Sequence, residues 1–129
     1  EYYVLDTKRE KIIPVSETGT IAYPTFSPNG RMIAFVRDNN VVIKRLDFET
    51  EFQVTKDGKE NAIYNGASRE MMTKNLSENN VLDWSADSRF LSYVRYDYSQ
   101  TPVYEYVNYV GKGKSYTSKF QYTKFAIAP

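Results

Sequence analysis

The sequence predicts an all-β protein built from short antiparallel strands in four-stranded meanders, and three observations carry that prediction. Apolar, β-prone runs alternate with polar turns along most of the chain. One strand-turn-strand segment recurs 58 residues later, from Thr25 to Asp83. The composition, 41% hydrophobic with 16% aromatic residues in 129, is rich enough to build a core and unlike that of a disordered tail.

The elements follow in order. Tyr2-Tyr3-Val4-Leu5 is β-prone, Asp6 to Glu10 is a charged turn, and Lys11-Ile12-Ile13-Pro14-Val15 resumes the strand, which predicts a hairpin. After Tyr23-Pro24-Thr25-Phe26 comes the turn Ser27-Pro28-Asn29-Gly30, where Pro28 presets φ and Asn29-Gly30 tolerates positive φ. The run Met32-Ile33-Ala34-Phe35-Val36 between Arg31 and Arg37 is apolar at every position, as a strand covered on both faces requires. Asp38-Asn39-Asn40 turns the chain into Val41-Val42-Ile43-Lys44-Arg45-Leu46, and Phe52-Gln53-Val54-Thr55 completes a meander.

The second copy, Asp83 to Arg95, matches Thr25 to Arg37 position by position: aromatic, Ser, turn, Arg, apolar run, Arg. Typical blade repeats are ~40 to 50 residues long, so the 58-residue offset implies an insertion. Residues 67–80 are its place, because Glu70-Met71-Met72-Thr73-Lys74-Asn75-Leu76 is rich in helix formers and lacks strand alternation. A repeated four-stranded meander with this turn is the mark of a β-propeller blade. The expectation is therefore two to three blades of an incomplete ring over 1–129, with repeats near 21–55 and 80–110 and a short helical or irregular insertion at 67–80. A ring needs ~4 to 8 blades, so these residues either belong to a longer polypeptide or cover their blade edges by association, for instance as a homo-oligomer.

Composition also excludes chemistry. With no His and no Cys, the chain holds no Ser-His-Asp or Cys-His set, no imidazole base, no thiolate and no disulfide, so it is not expected to act as a hydrolase alone. Lys and Arg number 17 against 16 Asp and Glu, which gives no basic footprint for nucleic acid. No apolar run reaches the ~20 residues of a membrane-spanning helix. Glu1-Tyr2-Tyr3-Val4 is neither a basic n-region nor an apolar leader. Asp83, Asp87 and Asp97 are not spaced as a calcium loop, and Asp87 holds a turn position that favours Asp for its own backbone bonds. No cofactor or metal is expected. Gly111-Lys112-Gly113 lacks the full phosphate-loop spacing and reads as a hairpin tip. Around it lie Tyr98, Tyr104, Tyr106, Tyr109, Tyr116 and Tyr122, read as strand tyrosines packed with an edge exposed.

The runs Tyr2 to Asp6, Ile21 to Asn40, Val54 to Asn61, Ile63 to Gly66, Trp84-Ser85 and Phe90 to Asp97 together resemble the N-terminal propeller of dipeptidyl peptidase IV-like serine peptidases, notably the bacterial ones. The resemblance implies a parent enzyme that removes N-terminal Xaa-Pro or Xaa-Ala dipeptides with a triad on a separate hydrolase domain, none of which is in this chain. It also implies export to the periplasm or cell surface. In the family an Asp-Trp-Val-Tyr-Glu-Glu-Glu stretch follows the Asn-Gly element and holds the substrate's α-amine. Here Ala67-Ser68-Arg69-Glu70-Met71-Met72-Thr73-Lys74-Asn75 follows Asn65-Gly66, so the glutamates fall on Thr73, Lys74 and Asn75. Glu70 is the acid left near that place and the candidate substrate-binding residue; its plain reading is a carboxylate in the first turn of a short helix. The family's carbonyl-binding arginine aligns upstream of Glu1, and Arg37 and Arg95, as strand-end repeats, read as structural. The stretch Tyr122 to Pro129 departs from the family's Tyr-Pro-Lys-Ala-Gly element. The expected function is a non-catalytic wall of a peptidase cavity; the alternative is a stand-alone binding or scaffold module.

Overall fold

Strand β4 (Met32–Arg37) is buried from Ile33 to Val36, and the first unit of the chain is arranged around it. Side chains alternate across a strand, so Ile33 and Phe35 face one side, Ala34 and Val36 the other, and both faces need cover. The computed structural model, which describes residues 1–74, 81–108 and 119–124, shows both covers. Ile33 and Phe35 join Val15 and Val42 in one core, with Val4, Ile21 and Leu46 packed against it. Ala34 and Val36 join Val41, Ile43, Ala67, Met71, Val81 and Leu82 in a second.

The central layer is the antiparallel sheet β3 (Ile21–Phe26), β4, β5 (Asn40–Arg45), β6 (Thr50–Gln53), in that order. Over its first face lies the hairpin of β1 (Tyr3–Asp6) and β2 (Lys11–Pro14), paired from Tyr3 opposite Pro14 to Asp6 opposite Lys11. Lys44, on the Val42 side of β5 and buried, straps the two layers by donating from Nζ to the Pro14 carbonyl at 2.7 Å. Over the second face lie β7 (Ile63–Asn65), the helix α1 (Arg69–Lys74) and β8 (Leu82–Trp84). The expected class holds: antiparallel sheets with one short helix in the insertion. Residues 75–80 of that insertion lie outside the described residues.

Local chemistry explains the turns. Between β4 and β5, Arg37 opposes Asn40 and the two loop residues Asp38 and Asn39 have φ of 50° and 61°, the both-positive pattern of the type I′ hairpin turn. Asn40 is buried and bonded through both ends of its amide: Oδ1 accepts from Thr55 Oγ1 at 3.0 Å and from the Gly58 amide at 2.9 Å, while Nδ2 donates to the Asp38 carbonyl at 3.0 Å. Arg37 closes the same edge, donating from Nη1 to Glu51 at 2.6 Å and to Ser16 Oγ at 2.6 Å.

The two sequence repeats fold into the same turn. Ser27 and Ser85 each accept through Oγ from the amide five residues on, Met32 at 3.0 Å and Phe90 at 2.9 Å. Asn29 and Asp87 each accept through Oδ1 from the amide two residues on, Arg31 at 3.0 Å and Arg89 at 3.1 Å. Gly30 and Ser88 occupy matching left-handed positions, with φ of 67° and 60°. The copies also touch: the Asn29 amide donates to Ser88 Oγ at 3.0 Å, and Trp84 Nε1 donates to the Thr25 carbonyl at 3.2 Å. β8 and β9 (Leu91–Tyr93) form the second repeat's hairpin, with Leu82 opposite Tyr93. The next strand, β10 (Arg95–Asp97), pairs with β7, Tyr96 opposite Tyr64.

Residues fall into two units, Glu1–Asp97 and Tyr98–Pro129. In the second, β11 (Val103–Asn108) pairs antiparallel with β12 (Lys119–Lys124), from Val103 opposite Lys124 to Asn108 opposite Lys119. Tyr104, Tyr106 and Tyr122 stand on these strands; Tyr109, Tyr116 and the Gly111-Lys112-Gly113 run lie outside the described residues.

Gly66 has φ of 86°, and a Cβ there would meet Val36 Cγ2 at 2.7 Å, whereas a Cβ on Gly30 meets nothing within 4 Å. Gly66→Ala is therefore expected to cost about 2 to 4 kcal/mol, backbone strain plus overpacking, and Gly30→Ala only about 1 kcal/mol of strain. Urea denaturation of both variants checks the ranking, and equal losses would contradict it. In the same series Ser88→Ala, which keeps the left-handed strain and loses the Asn29 bond, should be less stable than Ser88→Gly, which loses the bond and relieves the strain.

Candidate functional site

The insertion at α1 is the one helical element among the described residues, and it carries the candidate residue Glu70. At 6 residues it is too short to hold its shape alone, so its neighbours must fix it. Ser68 begins it: Oγ accepts from the Met71 amide at 3.3 Å and the Ser68 carbonyl accepts from the Met72 amide at 3.1 Å. Met71 sinks into the second core beside Ala67 and Leu82, while Met72 packs on its margin. The Tyr23 hydroxyl donates to the Met71 carbonyl at 3.1 Å. Glu70 stands in the first turn and is half-buried, where the positive end of the helix favours a carboxylate. Lys74 is the last residue of α1, and Asn75 lies outside the described residues.

A second polar group leads into this helix. Asn65, fully buried at the end of β7, donates from its amide to the Asn39 carbonyl at 2.9 Å and from Nδ2 to Asp57 at 2.8 Å. Arg95 donates from Nε to the other Asp57 oxygen at 2.9 Å and from Nη1 to Asp97 at 3.2 Å. The Asn65 bond first, and then the Arg95 guanidinium, hold the Asp57 carboxyl below the usual carboxylate range. Arg95 is thus employed in joining β10 to the loop before β7, in keeping with its structural reading. Gly66 follows Asn65 at once, its amide donating to the Val94 carbonyl at 2.9 Å. The buried Asn65 and the left-handed Gly66 together aim the chain from β7 into α1.

An open groove of about 470 Å³ is found elsewhere in the first unit, lined among others by Tyr2, Tyr3, Ser16, Glu17 and Ile21. None of its lining residues belongs to α1 or the Asp57 network. Tyr3 is committed within it, donating to Glu1 at 2.7 Å, a bond that pushes the phenol pKa up. No imidazole or thiol exists in the chain to activate the hydroxyls there. Among the described residues no three Asp or Glu side chains converge as a metal site. Asp87 is committed to its own turn, accepting from Ser85 Oγ at 2.6 Å, and Asp97 to Arg95.

The candidate residue is therefore one half-buried carboxylate on a braced helix. Such a group can accept hydrogen bonds from a cationic or N–H donor; it cannot by itself cleave a peptide bond. Sequence reasoning named Glu70 as the candidate and did not anticipate the bond from Tyr23 to the helix that carries it, nor the Asp57–Asn65–Arg95 network that precedes that helix. Tyr23 meets Met71 48 residues away, and Arg95 meets Asp57 38 residues away, so no local spacing announces either contact.

Comparison with known proteins identifies the architecture. The model of the "Dipeptidyl peptidase IV (DPP IV) N-terminal region" matches residues 1–125. The chain is 33% identical over 115 residues to prolyl endopeptidase FAP of Mus musculus, covering 88% of this chain and 15% of that protein. It is 31% identical over 124 residues to dipeptidyl peptidase 4 of Felis catus, covering 94% and 16%. The crystal structure of Porphyromonas gingivalis dipeptidyl peptidase 4 superimposes with a TM-score of 0.75 at 43% identity, over 95% of this chain and 17% of that one. The chain thus spans about one sixth of the length of these relatives or less. With its blade-type antiparallel sheets and a family match over nearly its whole length, the chain belongs to the dipeptidyl peptidase IV N-terminal region family, the propeller region of these peptidases.

Proposed function

We propose that this chain is a non-catalytic propeller segment of a dipeptidyl peptidase IV-like serine peptidase, and that it shapes and gates the cavity through which peptides reach a triad on another domain. The observation that carries the reading is the likeness to the Porphyromonas gingivalis enzyme over 95% of the chain, at a level of identity far above that of a shared fold alone. The repeats near 21–55 and 80–110 are then successive blades; their identical turn bonds at Ser27 and Ser85 support this. The substrate class is peptides with Pro or Ala second, cut after the second residue. Glu70 serves as an acceptor for the peptide's ammonium, supported by its half-buried place on a helix held against the central sheet. A periplasmic or cell-surface location belongs to the same reading, on the strength of the resemblance to bacterial enzymes; recovery of the protein solely from the cytoplasmic fraction would count against it.

A second reading has its own observation. Tyr3, Leu5 and Ile12 lie on the outer face of the β1–β2 hairpin and are 58%, 61% and 65% exposed, an apolar surface suited to association. A stand-alone module would bury it in a homo-oligomer.

Pure chain of residues 1–129 should give no turnover of a chromogenic Xaa-Pro substrate, and the full polypeptide carrying these residues should give turnover. Within that polypeptide Glu70→Gln should raise KM roughly tenfold or more and leave kcat nearly unchanged, the pattern of lost ground-state binding. An unchanged KM would remove Glu70 from the substrate site. Light scattering of the isolated chain separates the two readings of its apolar face: a defined oligomer favours the module, and a monomer counts against it.

A further inference from the structure

Tyr23 carries an unexplained cost. It is a bulky residue in the left-handed region, φ 54°, at a break in register between Ala22 and Thr25 where β3 bulges away from β4. Pro24 follows it and pushes the preceding residue toward extended backbone, so local sequence opposes the conformation observed. Nothing in a plain strand would sustain it.

The bulge turns the Tyr23 ring against the second core, to which Met71 belongs, and carries its hydroxyl to the Met71 carbonyl at 3.1 Å. Met71 lies in the middle of α1, so the bond grips the body of the helix. Ser68 braces the start of the helix and Tyr23 its middle. β3 belongs to the central sheet, so the bond ties α1 to the rigid layer rather than to its own flanking loops.

We propose that Tyr23 is a positioning residue: its strained bulge holds its hydroxyl where it anchors α1, and with α1 the carboxylate of Glu70, at a fixed place over the central sheet. The inference rests on the reading of α1 as a substrate-facing wall only for its effect on catalysis; the anchoring itself is independent of that reading. Strain of this kind persists where surrounding contacts over-determine it, and here the contact is the one that sets the candidate site.

Tyr23→Phe tests it, since it keeps the ring in the core and removes only the hydroxyl. In the full polypeptide carrying these residues, amide hydrogen exchange across α1 should speed up roughly threefold to tenfold, the range for loss of one net hydrogen bond, while β4 and β5 exchange as before. With a chromogenic Xaa-Pro substrate the same variant should raise KM and leave kcat nearly unchanged. Unchanged exchange in α1, or equal acceleration in α1, β4 and β5, overturns the anchoring. Faster exchange in α1 with KM unchanged in both Tyr23→Phe and Glu70→Gln supports the anchoring and overturns the substrate-wall reading.

Discussion

Burial of β4 on both faces is the constraint on which the rest of the first unit depends. An apolar strand running from Ile33 to Val36 cannot be half-solvated, and Ile33, Phe35 and Val36 each gain about 1.5–3 kcal/mol when fully buried. The alternation of the strand therefore demands two cores, and each core demands a layer. The β1–β2 hairpin answers on the Ile33 and Phe35 side, held by Lys44; Ala67, Met71, Val81 and Leu82 answer on the Ala34 and Val36 side. A radial blade is what this looks like from within: a sheet whose two faces are both interior.

The layers are set in register by polar contacts as well as by packing. The repeated turn places Asn29 and Ser88 within hydrogen-bond reach and gives Trp84 the Thr25 carbonyl, so neighbouring repeats meet at corresponding points. Asn40 and Thr55 do the same at the opposite end of β4, where the type I′ turn brings backbone groups close to Gly58. A Cβ on Gly58 would run into the Asn39 carbonyl, so the close approach is built on a glycine. The helix that carries Glu70 hangs from this frame through Tyr23 and Met71 rather than standing on its own propensity.

What could be read from the sequence was what local physics dictates. The β1–β2 hairpin, the doubly covered run at β4, the turn at Asp38-Asn39 and the matched turns at Ser27 and Ser85 all announce themselves through alternation, Gly, Asn and Pro placement, or repetition. The insertion at 67–80 was legible as a short helical or irregular excursion from its helix formers and missing alternation, and the structure makes 69–74 of it helix. Left unread were features decided by distant partners. β10 leaves the second hairpin to pair with β7, where Arg95 meets Asp57, and no pattern within Arg95-Tyr96-Asp97 encodes that choice. Nothing in the run Val41 to Leu46 announces that Lys44 is buried, with its ammonium donating to the Pro14 carbonyl. Tyr23 defies its own neighbour Pro24, and only the packing of α1 gives the reason. Of the candidate site, Glu70 was put forward through the family resemblance, and the Tyr23 bond to its helix was announced by nothing local.

The frame fixes the central sheet on both faces. Native-state hydrogen exchange across the whole polypeptide tests the central claim most directly. If β4 is the interior layer, its amides and those of β5 open only with global unfolding and are the slowest to exchange in the unit, with β1–β2 and α1 opening earlier by partial routes. If β4 exchanges as fast as β1 or β2, it is not the strand that organises the blade, and the two-core account is wrong.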